Sequence, residues 1–274
     1  MNTSNPESAM QPPVVLTIAG SDSSSGAGIQ ADLKTFSYFQ CHGLTAVTCV
    51  VAETPELVES IHSISPSCLQ DQLEILLNTY PVQAIKTGML YSKAHLVAAY
   101  ELLQVNDIPL VVDPVMVATS GANLVDKSAI AAYKDRLLPR ATLITPNMPE
   151  ASVLLQRPVE TLEQLEQAAK DLSEEYQTSC LLKGGHLPGD QDRTDILYHE
   201  GKIHHFTSPM IDIACTHGTG CTLSAAITSQ LAHGLDMVSA VSTSRDWVHT
   251  AIKDSFQWKS PSSNSIHCLN HLRG

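Results

Sequence analysis

Basic residues are scarce in this chain. Lys and Arg number 16 of 274 residues against 28 Asp and Glu, a formal net charge of −12. A surface of that sign repels a phosphate backbone, which argues against a broad nucleic-acid interface. It leaves room for a small phosphate ligand, because backbone N–H groups and a bound cation can hold one on an acidic protein. Aromatics are also few, at 5%, so the core must be mostly aliphatic. No apolar run approaches the roughly 18 residues that a membrane span needs. The first residues, Met1 to Pro13, are polar and carry prolines. They lack the basic and apolar regions of a signal peptide and read as a flexible tail. Seven Cys occur at irregular spacing with no C-x-x-C pair, which speaks against a disulfide framework and for a reducing, cytoplasmic setting.

What is present is an alternation. Short apolar runs read as strands: 14–19 (VVLTIA), 44–52 (LTAVTCVVA), 84–87, 110–113, 142–145 and 179–183. Segments with helical spacing fall between and after them, at 27–39, 68–78, 93–104, 127–138, 161–176, 219–233 and 237–253. A hairpin is expected at 195–199 and 202–206, around Glu200-Gly201. Buried strands alternating with helices predict an α/β fold, a central mostly parallel sheet flanked by helices on both faces. No repeat or low-complexity linker interrupts the chain, so 14–274 reads as one domain. In such a sheet, ligands sit beyond the carboxyl ends of the strands.

Four segments in those loops carry candidate chemistry. Gly20 to Gly28 (GSDSSSGAG) follows the first strand; its glycines permit a sharp turn and close approach to a ligand. It is neither a G-x-G-x-x-G fingerprint nor a Walker A loop, and it also reads as a plain strand–helix turn. Thr216 to Cys221 (THGTGC) opens an apolar helix. There Gly218, Thr219 and Gly220 would present free N–H groups at the positive end of the helix dipole, an anion hole for a transferring phosphoryl group. Cys221 in the first turn is expected to have a lowered pKa and to accept a proton from an attacking hydroxyl; alternatively it is a small buried hydrophobe. Asn147 and Glu150 share one side of a first helical turn, where they either hold Mg²⁺ through its water shell or simply cap the helix. Lys183-Gly-Gly-His186 ends a strand, and its ammonium suits a phosphate contact.

The order of these segments resembles hydroxymethylpyrimidine/phosphomethylpyrimidine kinases, within the ribokinase-like superfamily. The similar stretches are 17–36, KTGML (86–90), VVDPVMVATSG (111–121), 137–151, LLKGGH (181–186) and THGTGCTLSAAI (216–227). The resemblance implies Cys221 as the base, the 218–220 amides as the anion hole, Lys183 on the phosphates of ATP, and Asn147 and Glu150 at Mg²⁺. It places the pyrimidine near Gly20, Asp32, Val51, Met89 and Val115. It further implies phosphoryl transfer from ATP to 4-amino-5-hydroxymethyl-2-methylpyrimidine and then to its monophosphate, by a cytoplasmic homodimer. The fused thiamine-phosphate synthase domain that some such enzymes carry has no counterpart in the stretches named.

Three departures are visible. Glu53 stands where the family often has Gln, Thr119 and Ala122 replace a Lys and an Asp, and Cys215 replaces an Asn. Glu53 can accept from the 4-amino group and, when protonated, donate to the ring nitrogen. It could also turn the pocket toward pyridoxal or pyridoxine. A ligand-binding homologue without catalysis is the reading from another class. His267, Cys268 and His271 could be imagined as zinc ligands, but three on a short tail make no convincing site, and packing is the expectation.

Overall fold

The computed structural model describes residues 11–116, 127–185, 192–211, 217–259, 261 and 265–272. Thr119, Ala122, His186, Cys215 and Thr216, all singled out above, lie outside them. So do residues 1–10 of the expected tail. Pro13, its last residue, is already tied to the sheet, accepting from His42 N at 2.8 Å.

The chain runs β1 (Val14–Asp22), α1 (Gly28–Tyr38), β2 (His42–Thr54), β3 (Leu57–Ser63), α2 (Pro66–Thr79), β4 (Val82–Thr87) and α3 (Lys93–Leu103). It continues through β5 (Leu110–Val112), α4 (Lys127–Ala132), β6 (Leu143–Ile144), α5 (Met148–Leu155), α6 (Leu162–Tyr176) and β7 (Ser179–Leu182). The last elements are β8 (Asp192–His199), β9 (Lys202–Pro209), α7 (Thr219–Ala232), α8 (Met237–Lys253), β10 (Phe256–Lys259) and β11 (Ser265–Cys268).

Nine strands form one sheet in the order β3-β2-β1-β4-β5-β6-β7-β8-β9. The pairings from β2 to β7 are parallel. The edges, β2 with β3 and β7 through β9, are antiparallel. The sheet is therefore mostly parallel, as the run of buried apolar strands implies. Successive strand residues point to opposite faces. Leu110, Val112, Ile144, Cys180 and Leu182 enter one core with residues of α2, α3, α5 and α6, while Val111, Leu143 and Leu181 meet α7 and α8. Phe36 of α1 packs with Val15 and Ala225 on that second side. Both faces are covered, and the sheet's loops are left to do chemistry.

Several elements differ from expectation. β3 was not anticipated. Its residues are exposed or half-buried throughout, so the apolar alternation that reveals a strand is missing at this edge. The helix expected over 127–138 is α-helical only to Ala132. It widens into a π-turn at Tyr133–Leu137 and tightens into a 3₁₀ turn at Leu138–Arg140, which contains Pro139. Such changes of hydrogen-bond register leave side-chain periodicity nearly intact and so are silent in the sequence. The small β10–β11 hairpin was also missed. Among the described residues no helix is long and apolar enough to cross a membrane.

Candidate active site

Strand ends and helix starts converge on a cavity of about 380 Å³. Its floor begins at Asp22, the last residue of β1. The Asp22 carboxylate accepts from Ser24 N at 2.6 Å, Ser24 Oγ at 3.0 Å and Ala27 N at 2.7 Å, closing the turn into α1. It also meets His217 Nε2 at 3.0 Å. Burial by itself would raise this carboxyl, but the bonds from His217, Ser24 and Ala27 outweigh it and hold Asp22 well below the usual carboxylate range. The bond to Asp22 is what most strongly raises His217.

Two glycine segments lie against each other here. Gly218 has φ +80°, and a Cβ on it would fall 1.8 Å from Gly26 O. Only glycine fits that backbone and that approach. α7 starts at the next residue. Four helices of the fold close their first turn with a side chain: Ser65 for α2, Asn147 for α5, Thr161 for α6 and Asp236 for α8. Gly218 gives α7 no such cap, and Gly218, Gly220 and Cys221 face the cavity. The helix start therefore has backbone donors and dipole directed at a ligand rather than at its own side chains.

Beyond Gly220 stands Lys183, just past β7. Its backbone is set by the bond from Lys183 N to Pro146 O at 2.9 Å, and its Nζ donates to Asp113 Oδ1 at 2.8 Å. A Cβ on Gly220 would come within 3.2 Å of that ammonium, so the absence of a side chain keeps the two close. Asp113 follows β5 and is also bonded by Thr145 Oγ1 at 3.1 Å. Burial raises its carboxyl, but Lys183 and Lys86 prevail and keep it low. Glu150 completes this end. It forms a reciprocal cap with Asn147: Glu150 N donates to Asn147 Oδ1 at 2.8 Å, and Asn147 N donates to Glu150 Oε2 at 2.9 Å. Met116 N reaches Glu150 Oε1 at 3.3 Å. Burial, reinforced by the Asp113 charge and opposed by Lys183, pushes the Glu150 carboxyl up to about 7.

A further part of the cavity lining is mostly apolar. Gly20, Val51, Met89 and Val115 line it together with Glu53. Burial first, then the charge of Asp22, raises the Glu53 carboxyl to about 7.

Of the residues expected from sequence, Cys221, Gly218, Gly220, Lys183, Asn147, Glu150, Gly20, Val51, Glu53, Met89 and Val115 line this one cavity. Thr219 and Asp32 do not. Asp32, expected beside the pyrimidine, is fully buried in α1, where its carboxylate accepts from Lys86 Nζ at 2.5 Å and Thr17 Oγ1 at 2.6 Å. The expected low pKa of Cys221 is also corrected. Burial outweighs the nearby Lys86 ammonium and the Gly28 N–H and raises the thiol to about 11. Helix position favours a thiolate, but removal from water costs it more. The pair Asn147 and Glu150 is a capping box first. Sequence reasoning gave no role to Asp22, Asp113, His217 or Lys86. The available signal for the two aspartates was their place, each ending an apolar strand run where ligands gather. The tail reads as packing: His271 is buried, with Nε2 3.1 Å from Thr222 Oγ1 and its ring near Trp247.

A glycine-flanked helix start beside a Lys–Asp pair at the strand ends of a doubly covered, mostly parallel sheet defines the class, a kinase of ribokinase-like fold. The family model described as phosphomethylpyrimidine kinase matches residues 22–265, and the chain belongs to that family. It is 39% identical over 246 residues to the hydroxymethylpyrimidine/phosphomethylpyrimidine kinase of Synechococcus elongatus, covering 90% of this chain and 94% of that protein. It is 42% identical over 240 residues to the thiamine biosynthesis bifunctional protein of Geobacter sulfurreducens, 87% of this chain but only 49% of that one. The chain thus spans about half the length of such bifunctional relatives. The solved ADP complex of Bacillus subtilis pyridoxal kinase superposes with a TM-score of 0.85 at 34% identity, over 95% of this chain and 98% of that one.

Proposed function

We propose that this protein transfers a phosphoryl group from ATP to the hydroxymethyl oxygen of 4-amino-5-hydroxymethyl-2-methylpyrimidine, and then a second one to the monophosphate. The observation that carries this reading is the meeting, in one cavity, of the uncapped start of α7, the Lys183–Asp113 pair and the apolar lining of Gly20, Val51, Met89 and Val115. Transfer of this kind demands little covalent chemistry, mainly alignment and charge neutralisation. The amides of Gly218 and Gly220, which line the cavity, receive the equatorial oxygens of the moving group. The Lys183 ammonium, kept protonated by Asp113 and Glu150 despite its burial, offsets negative charge on the phosphates.

The carboxylates at this end fit Mg²⁺. Asp113 and Glu150 are hard oxygen donors on one wall, and Glu150 is held up to about 7 by burial and its acidic neighbour, a charge deficit that a divalent cation relieves. Asp113 and Glu150 would hold the ion, and the reciprocal cap with Asn147 would fix Glu150. The bound ion supplies neutralising charge to the phosphates. Cys221 takes the proton of the acceptor hydroxyl. Because its thiol sits near 11, the base form is scarce at neutral pH and grows as pH rises.

Residues 14–274 act as one kinase domain in this reading, in a cytoplasmic homodimer. The likeness to pyridoxal kinase favours a second acceptor, pyridoxal, which also carries a hydroxymethyl group.

The test is ATP consumption with Mg²⁺ on the pyrimidine, its monophosphate and pyridoxal. Wild type should turn over both pyrimidines, with kcat climbing between pH 7 and 9. Cys221→Ala should lose about 10²–10⁴-fold, the usual worth of a general base, and flatten the climb. Turnover of pyridoxal alone would move the function to that vitamin. Binding of ATP and pyrimidine without any turnover would leave only a binding protein.

A further inference from the structure

The ladder between β7 and β8 stops one residue short of Lys183. Its last pair is Leu182 with Ile196, antiparallel. One step further, that register sets Lys183 opposite Asp195 and Gly184 opposite Thr194. There a side chain makes the bond: Gly184 N donates to Asp195 Oδ1 at 2.9 Å. A Cβ on Gly184 would fall 1.8 Å from Thr194 O, so only glycine lets the chain pass β8 this closely.

This bond bears on the lysine before it. Peptide units are planar, so a residue's two soft dihedrals are fixed once the peptides on both sides are held. The peptide before Lys183 is held by Lys183 N donating to Pro146 O at 2.9 Å. The peptide after it is held by Gly184 N on Asp195. Together the two ties set the direction in which the Lys183 side chain leaves the backbone, toward Asp113 and the cavity. The first tie is main chain to main chain. The second depends on a single carboxylate.

That carboxylate is braced in turn from a third element. Arg245 of α8 donates from Nε to Asp195 Oδ2 at 2.7 Å. Its guanidinium lies over the Phe206 ring of β9, 5.4 Å from the ring centroid. A planar guanidinium held by a carboxylate and a ring face has little freedom left. The side chains of Arg245 and Asp195 keep only 9% and 14% exposure, so solvent screens the pair weakly. Neither residue lines the cavity, whereas Lys183 and Gly185, on either side of Gly184, both do.

We propose that Asp195 and Arg245 are positioning residues for phosphoryl transfer: outside the cavity, they hold the peptide after Lys183 and so aim its ammonium at the phosphates of the nucleotide. This rests on the kinase reading above and adds residues to its machinery. A displacement of about 1 Å at a group that aligns the reactants can cost 10²-fold. Asp195→Ala, which frees the Gly184 N–H, should therefore lower kcat/KM for ATP by roughly 10–100-fold.

The experiment is a double-mutant cycle on kcat/KM for ATP, with the pyrimidine as acceptor: wild type, Asp195→Ala, Lys183→Met and the two combined. A residue that acts through Lys183 has nothing to aim once the ammonium is gone. In the Lys183→Met background the cost of Asp195→Ala should thus shrink to no more than about twofold, the scatter of independent sites. A merely structural Asp195 would cost the same factor in both backgrounds. The conservative variant is Asp195→Asn with Arg245→Met, which removes both charges and keeps a carbonyl acceptor for Gly184 N. It should return kcat/KM to within a few-fold of wild type. If Asp195→Ala does not fold, as judged by urea unfolding, Arg245→Met takes its place in the same cycle. Equal costs in the two backgrounds, no cost in wild type, or no effect of Lys183→Met itself overturns this inference and leaves the kinase reading intact. Absence of ATP turnover by wild type overturns the kinase reading, and this inference falls with it.

Discussion

Lys86 and Asp32 form an ion pair in which neither side chain has any exposure. Thr17 holds the second carboxylate oxygen at 2.6 Å. Neither residue lines the cavity, yet the ammonium is the main influence opposing burial at the Cys221 thiol. Removing one member of such a pair leaves an uncompensated charge in the core. Lys86→Met should therefore destabilise the protein by about 3–5 kcal/mol, measured by urea unfolding. Lys86→Met with Asp32→Leu, which removes both charges, should recover most of the loss. In the refolded double variant the Cys221 thiol, titrated by absorbance at 240 nm, should ionise at higher pH than in wild type. Asp32 was expected to face the ring, and a single sequence could not show otherwise. An aspartate after a glycine-rich turn reads the same whether its partner is a substrate or a lysine 54 positions along.

Between residue and fold lies the choice each helix makes at its start. α5 closes itself with a complete capping box of Asn147 and Glu150, and α7 leaves its start open behind Gly218. The two sit at neighbouring corners of one cavity with opposite assignments, one fixing a carboxylate and one offering amides. Asn147→Ala should cost about 1 kcal/mol of stability through the lost cap, seen as a lower midpoint in urea with unchanged slope. Asn147→Ala leaves the Glu150 carboxylate its backbone donors, Asn147 N and Met116 N, so the Mg²⁺ concentration that ATP turnover needs should move little there and rise in Glu150→Gln. The motif N-x-x-E was legible as either cap or metal pair. The structure contains the cap, and whether Glu150 serves a cation as well is what that titration decides.

Across the whole molecule, the last described residues reach back to the functional helix. β10 and β11 form a hairpin, Asn270 N donates to Ala251 O at 3.1 Å, and His271 is buried against Thr222 on α7. Burial depresses the His271 imidazole to about 4. A base depressed on folding stays neutral while the unfolded chain takes up a proton. Its contribution is intact above the unfolded value near 6.5 and is lost as pH falls from there toward 4. Each unit of separation corresponds to about 1.4 kcal/mol. Glu53 and Glu150 work the other way, because raised carboxyls bind their protons more tightly when folded. The clean readout is therefore a difference: from pH 6.5 down to 4.5, wild type should lose stability relative to His271→Gln. Parallel pH profiles for the two would refute the role.

The buried apolar runs, their alternation with helical segments and the four glycine or polar loops were all readable from residue order. They are local facts, because strand burial, helix spacing and turn chemistry each depend on a few neighbours. That was enough for a mostly parallel sheet covered on both faces and for eleven of the residues that line the cavity. Other features required the packed molecule. Edge strand β3 has no buried face to betray it, and the π-turn at 133–137 changes bonding without changing periodicity. The ionisation of Cys221 was misread because helix position is written in sequence while desolvation is not. The same holds for Asp22, His217 and Glu53, whose chemistry arises only when residues up to 195 positions apart are brought within hydrogen-bond reach. Sequence determined which groups are available, and tertiary structure decided which of them meet and how much water each retains.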